Sequence, residues 1–98
     1  MEINIKHGEE MTVTLKGRLD TMTSRSFDEA ISNESVTENK VIIDFADVEY
    51  ISSAGLRSLL SLKRELDEKD KQLEIRNVNA VIREIFSVTG FIRVLTIK

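Results

Sequence analysis

The stretch that decides the fold runs from Val41 to Asn77: VIIDFADVEYISSAGLRSLLSLKRELDEKDKQLEIRN. Its opening run VIIDF is apolar except for Asp44, and a strand apolar on both faces belongs in the middle of a sheet. From Ser53 to Asp70, Leu56, Leu59, Leu60, Leu62 and Leu66 recur at helical spacing ahead of the charged tail KRELDEKDK. This predicts a long helix with one apolar face. LEIRN then reads as a short strand. A strand, a helix and a second strand in that order call for a right-handed crossover between parallel neighbours.

Working outward, the amino-terminal residues alternate: Ile3 and Ile5, then Met11, Val13 and Leu15, with His7-Gly8-Glu9 at the break. Period-two patterning around a glycine predicts a hairpin of two half-buried strands. The segment GRLD, Gly17 to Asp20, closes the second strand. Thr23 is placed to cap a helix whose inner face carries Phe27, Ala30 and Ile31. Beyond LEIRN, Asn79 caps a helix bearing Val81, Ile82, Ile85 and Phe86. Gly90 sits where a left-handed residue would end it, and Val94 to Ile97 supplies a last strand. The expected order is β-β-α-β-α-β-α-β. This is an α/β chain forming one domain over residues 1–98, with a mixed sheet of four or five strands and helices packed on it. Leu56, Leu59, Leu60 and Leu66 are expected in the core.

Composition narrows the function. The 98 residues are 41% apolar and 32% charged, an ordinary balance for a globular chain. There is no cysteine, so neither a disulfide framework nor a thiolate metal site is available. The amino terminus is charged, and no apolar run approaches the roughly 20 residues that span a bilayer. A cytoplasmic protein without a membrane anchor is therefore expected. The net charge is −3 and the 14 basic residues are scattered among 17 acids, so no basic stripe offers itself to nucleic acid. Nothing in the pattern asks for a second copy, and a monomer is expected.

Two adjacent serines beside a glycine invite a catalytic reading, but a serine nucleophile needs a base held by a third group. The only histidine is His7, in a predicted polar turn, and neither Ser-x-x-Lys nor Gly-x-Ser-x-Gly occurs. One histidine, no cysteine and dispersed carboxylates give no metal-ligand spacing, and the four glycines fall at turns and helix ends rather than in a phosphate loop. The chain is read as neither an enzyme nor a cofactor binder. Ser52 or Ser53 is instead the N-cap of the long helix. A helix amino terminus exposes unpaired amides and about half a positive charge, so a phosphate added to a hydroxyl there meets waiting donors. Gly55 is expected to leave room for an approaching partner.

At this point the sequence resembles the STAS domains of the bacterial anti-sigma factor antagonists. The resemblance rests on GRLD, on DFADVEYISSAGLRSLL from Asp44 to Leu60, and on VIREIFSVTGFIRVLTI from Val81 to Ile97. It implies a partner-switching regulator that binds an anti-sigma factor when unmodified, freeing a sigma factor. The anti-sigma factor is itself a serine kinase, and it ends the complex by phosphorylating a serine at the start of the long helix. ATP would belong to that kinase, and a serine phosphatase would reset the switch. The family's aspartate falls on Ser52, its first serine on Ser53 and its second Ser or Thr on Ala54, while Gly55 and Leu56 match. Alanine cannot be phosphorylated, which leaves Ser53 as the acceptor, with Ser52 as the alternative.

Asp20, in the family's Gly-x-Leu-Asp turn, would lie at the same sheet edge, either capping its turn or touching the partner. Arg57 replaces a small residue and either pairs a phosphate or an acidic patch or is simply solvated. Asp47 and Glu49, in the loop leading to the serines, are read as solvated. The implied contact set is thus Asp20, Ser52, Ser53, Ala54, Gly55 and Arg57. A further helix often follows the last strand in this family and is expected to be missing or vestigial. Ala54 and Ser52 leave a competing reading open, a scaffold that binds partners constitutively in a stress-signalling or transporter-associated complex.

Overall fold

The computed structural model describes all 98 residues. The chain forms β1 (Glu2–Lys6), β2 (Met11–Leu19), α1 (Thr21–Ser32), β3 (Lys40–Ile51), α2 (Ser53–Glu68), β4 (Gln72–Arg76), α3 (Ala80–Val88), a single 3₁₀ turn (Phe91–Arg93) and β5 (Thr96–Ile97). The five strands lie in sequence order across one sheet. The hairpin β1–β2 is antiparallel, and every later pair is parallel. Each crossover therefore steps the same way, and right-handed connections stepping one way place their helices on one face.

The registers fix which residues meet there. Val13 lies beside Ile43 and Ile43 beside Ile75, with Met11, Leu15, Val41, Phe45 and Leu73 on the same side. They form one apolar cluster with Phe27 and Ile31 of α1, Leu56, Leu59, Leu62 and Leu66 of α2, and Ile82 and Phe86 of α3. Phe45 and Phe86 meet with ring centroids 6.2 Å apart. The opposite face is polar. One row across it reads Lys6, Thr12, Ile42, Glu74 and Thr96. On this face Lys40 Nζ lies 2.8 Å from Glu74 and Arg76 Nε also donates to it, which permits that carboxylate to be buried.

Several expectations need correction. Helix α1 starts two residues before Thr23, because Asp20 is its N-cap. The Asp20 carboxylate accepts from the Met22 and Thr23 N–H groups, and Thr23 serves as the third helical residue of a capping box. On α2, Leu62 is buried while Leu60 is only half-buried, since the helix rolls its 56-59-62-66 stripe onto the sheet. That helix also ends two residues earlier than its charge pattern suggested, at Glu68. The segment carrying Asp47 and Glu49 is strand rather than loop. β3 continues beside β2 through two register shifts, which destroy the alternation that would betray a strand. The left-handed Gly17, with φ of 108°, lies at the second shift. Finally, Val94 and Leu95, expected in the last strand, form a turn and bend directly after the 3₁₀ turn and leave β5 with two residues. Asn79 caps α3 through the Ile82 N–H, and Gly90 is left-handed, both as expected.

Candidate functional site at the start of helix α2

Parallel strands β2 and β3 end side by side, with Arg18 beside Tyr50 and Leu19 beside Ile51. Each strand runs directly into a helix, so the amino termini of α1 and α2 emerge together from the carboxyl ends of the strands. In open α/β sheets this is where ligands and partners commonly bind. The two starts are tied by backbone: the Ser52 N–H donates to the Leu19 carbonyl at 2.9 Å.

Ser52 is the N-cap of α2. It has extended backbone angles, and its hydroxyl accepts from the Gly55 N–H at 3.3 Å. Ser53 is the first helical residue and is exposed, and its hydroxyl is held by no neighbour. Beside it the N–H groups of Ser53 and Ala54 precede the first intrahelical bond, from the Leu56 N–H to the Ser52 carbonyl at 2.9 Å. No acidic residue stands in the first turn, so the positive end of this helix is not neutralised from within. Arg57, exposed one turn along, adds to it.

The neighbouring start is electrostatically different. The Thr23 N–H holds the Asp20 carboxyl below its ordinary range against the opposing effect of burial, helped by the Thr23 hydroxyl, the Met22 N–H and Arg18. Asp20 is thus ionised and occupied with capping α1. Thr23 in turn accepts from the Asp20 N–H at 2.8 Å and donates to the Arg18 carbonyl at 2.6 Å. The turn between β2 and α1 is closed by its own residues.

Gly55 faces inward, not toward a partner as expected. It is buried, and a Cβ at this position would lie 2.7 Å from the Leu19 carbonyl oxygen and 2.8 Å from Ile51 Cγ1. The missing side chain lets α2 dock on the ends of β2 and β3; it clears no outer surface. Of the expected contact set, Asp20, Ser52, Ser53 and Ala54 do gather where the two helices begin, and Arg57 lies one turn further along.

Three residues at this edge escaped sequence reasoning. The Arg18 guanidinium stacks over the Tyr50 ring at 4.6 Å from its centroid. Met22, in the first turn of α1, is 84% exposed. Arg18 and Tyr50 both lie within the quoted motifs, but only the register joins them. Conversely, His7 lies at the far end of β2, a nine-residue strand, hence about 25 Å of strand from the serines. It cannot serve Ser53 as a base.

Comparison with known proteins agrees with this geometry. Residues 5–96 match the family model described as "Mlab, STAS domain". An anti-sigma-B factor antagonist of Staphylococcus epidermidis is 29% identical over 94 residues, covering 92% of this chain and 87% of the relative. The anti-sigma factor antagonist SpoIIAA in its unphosphorylated form superposes with a TM-score of 0.76 at 18% identity, over 99% of this chain and 87% of that one. Its phosphorylated form gives 0.75 at 19% identity, over 99% and 91%. A sulfate transporter family protein from Wolinella succinogenes reaches 0.80 at 14% identity, over 94% and 75%. With nearly its whole length matched and its fold reproduced, the chain belongs to the STAS domain family, as anti-sigma factor antagonists similar to it do.

Proposed function

We propose that this protein is an anti-sigma factor antagonist that works by partner switching. Unmodified, it binds an anti-sigma factor serine kinase through the paired starts of α1 and α2. Phosphorylated on Ser53 it lets go, and a serine phosphatase restores it. The observation that carries the reading is the division of labour between the serines: Ser52 is engaged in capping α2, whereas Ser53 presents an unengaged hydroxyl at the positive end of the helix.

The energetics are modest. A phosphate brings about −1.5 to −2 charges, and a 100-fold loss of affinity needs only about 2.7 kcal/mol. Desolvating that charge in an interface supplies as much. The Ser53 and Ala54 amides meanwhile accommodate the phosphate without unfolding the helix. The surface around Ser53 suits a partner that is acidic with an apolar element, since Arg18 and Arg57 are basic and Met22 and Tyr50 offer exposed apolar area.

The test is mass spectrometry of the protein after incubation with the kinase it captures and ATP. Ser53→Ala should remain bound in the presence of ATP, and Ser53→Asp should bind weakly while melting like the parent. Phosphate on Ser52 alone would exchange the two roles. A second reading is favoured by Ala54, which removes the family's other hydroxyl, and by the likeness to a transporter-family chain: a scaffold that holds its partner constitutively. Absence of phosphate on both serines in a complex that persists with ATP would decide for it.

A further inference from the structure

The two edges of the sheet are unequal. At one side β5 is two residues long and pairs only with Glu74 and Ile75, too short to template another strand. At the other, β1 is a regular five-residue strand, EINIK, whose outer backbone groups face away from β2. Charged residues on an edge usually discourage further pairing, and Glu2 and Lys6 are both exposed. Their placement, however, is self-complementary. In an antiparallel pairing of β1 with β1 of a second molecule centred on Asn4, all five residues find partners: Glu2 opposite Lys6, Ile3 opposite Ile5, and Asn4 opposite itself. Shifting the register by two residues leaves one charged residue of each strand without a partner, and a parallel pairing in register sets like charges against each other.

We propose that β1 is a homodimerisation edge, joining two copies into a continuous ten-stranded sheet about a two-fold axis through Asn4. On the polar face Glu2 would then sit between Lys16, its own neighbour on β2, and Lys6 of the second copy. On the helix-covered face, Ile3 and Ile5 are only half-buried at the margin of the core. Across the seam four isoleucines would complete one another's cover. Pairing within one continuous sheet keeps both sets of helices on the same face. The two-fold axis also sends the two Ser53 sites to opposite ends of the double sheet, because β2 carries its site at the end beside the start of β1. Dimerisation would therefore leave both sites open. It departs from the monomer expected from sequence, and it stands or falls independently of the partner-switching reading.

The interface is one strand wide, far below the area of a standard interface, so the expected association is weak and rapidly reversible. Sedimentation equilibrium from about 10 µM to about 1 mM should show a monomer–dimer equilibrium. Glu2→Lys and Lys6→Glu each place like charges opposite one another twice per dimer and should weaken association about tenfold. The double variant E2K/K6E restores opposite pairs and should recover most of the loss. In the parent chain, amide exchange across Glu2–Lys6 should slow as concentration rises, a readout that needs no variant. A monomer throughout that range, or a double variant as weak as the single ones, would overturn the proposal.

Discussion

Replacing Gly55 by alanine separates two accounts of why a glycine stands two residues after Ser53, the proposed phospho-acceptor. The added methyl would fall 2.7 Å from the Leu19 carbonyl oxygen, 2.8 Å from Ile51 Cγ1 and 3.0 Å from Leu19 Cγ. The closest of these is backbone, and it is pinned because the same carbonyl accepts the Ser52 N–H at 2.9 Å. Relief thus requires α2 to lift from the strand ends. Overpacking of this kind typically costs 1–3 kcal/mol. Because the clash is with pinned backbone, the cost lies in the upper half of that range; alanine returns up to about 1 kcal/mol of helix propensity, leaving a net loss of about 1–2 kcal/mol. For a chain of this length that lowers the melting temperature by roughly 5–15 °C. Urea unfolding followed by far-ultraviolet circular dichroism measures it: the midpoint should fall with the slope unchanged. An unchanged or raised midpoint would refute the close docking of α2. Unchanged stability with lost partner binding would restore an outward role for Gly55.

Other perturbations test the remaining elements. Ser52→Ala removes the α2 cap and should cost about 0.5–2 kcal/mol in the same assay; no loss would mean that the cap seen here contributes nothing. Asn79→Ala removes both the α3 cap and a hydrogen bond from Nδ2 to the Val48 carbonyl, so its loss in urea unfolding should be at least as large as that of Ser52→Ala. Leu59→Ala, at a fully buried position, should cost about 2–5 kcal/mol by cavity formation. For pH, hydrogen bonds to Glu38 and then Glu34 raise the His7 pKa above its ordinary 6.5. The stabilisation from His7 is therefore complete below about pH 6.5 and disappears as pH rises through the higher folded-state value. The urea midpoint of the parent relative to His7→Gln should decline across that window, and a flat difference would exclude the link.

The βαβ heart of the fold was legible because its signals are local: a continuous apolar run, leucines at helical spacing, Asn79 before an apolar face and Gly90 after it. What sequence could not supply depends on register. Arg18 and Tyr50 are 32 positions apart and meet only because β2 and β3 are parallel with two shifts between them. Asp20 and Thr23 are both capping residues by type; Thr23 was read as the helix cap and Asp20 as capping its turn or touching a partner, whereas the structure makes Asp20 the N-cap and Thr23 the third helical residue of the same box. Gly55 was read as outward because a glycine beside an exposed serine suggests access, yet its near contacts come from strand ends distant in sequence. For the serine pair, an N-cap at Ser52 or Ser53 was readable from residue type at the helix start, and the structure places it on Ser52.

At the end of the sheet opposite the serines, the His7 ring donates to Glu38 at 2.8 Å and the Gly8 N–H to the same carboxylate at 3.2 Å. Burial pushes the Glu38 carboxyl up, but hydrogen bonds from its own backbone N–H, His7 and Gly8 outweigh this and hold it low. From the other side, Lys71 Nζ donates to the Val36 and Glu38 carbonyls at 2.8 and 2.7 Å. The hairpin, the connection into β3 and the turn into β4 are thereby riveted together. A chain built this way has a fixed hilt at one end of the sheet and, at the other, a tip where the proposed switch would add and remove charge without the fold being remade each time. Slow amide exchange should accordingly persist around Glu38 in both states of the proposed switch, while the first turn of α2 alone changes its opening rate.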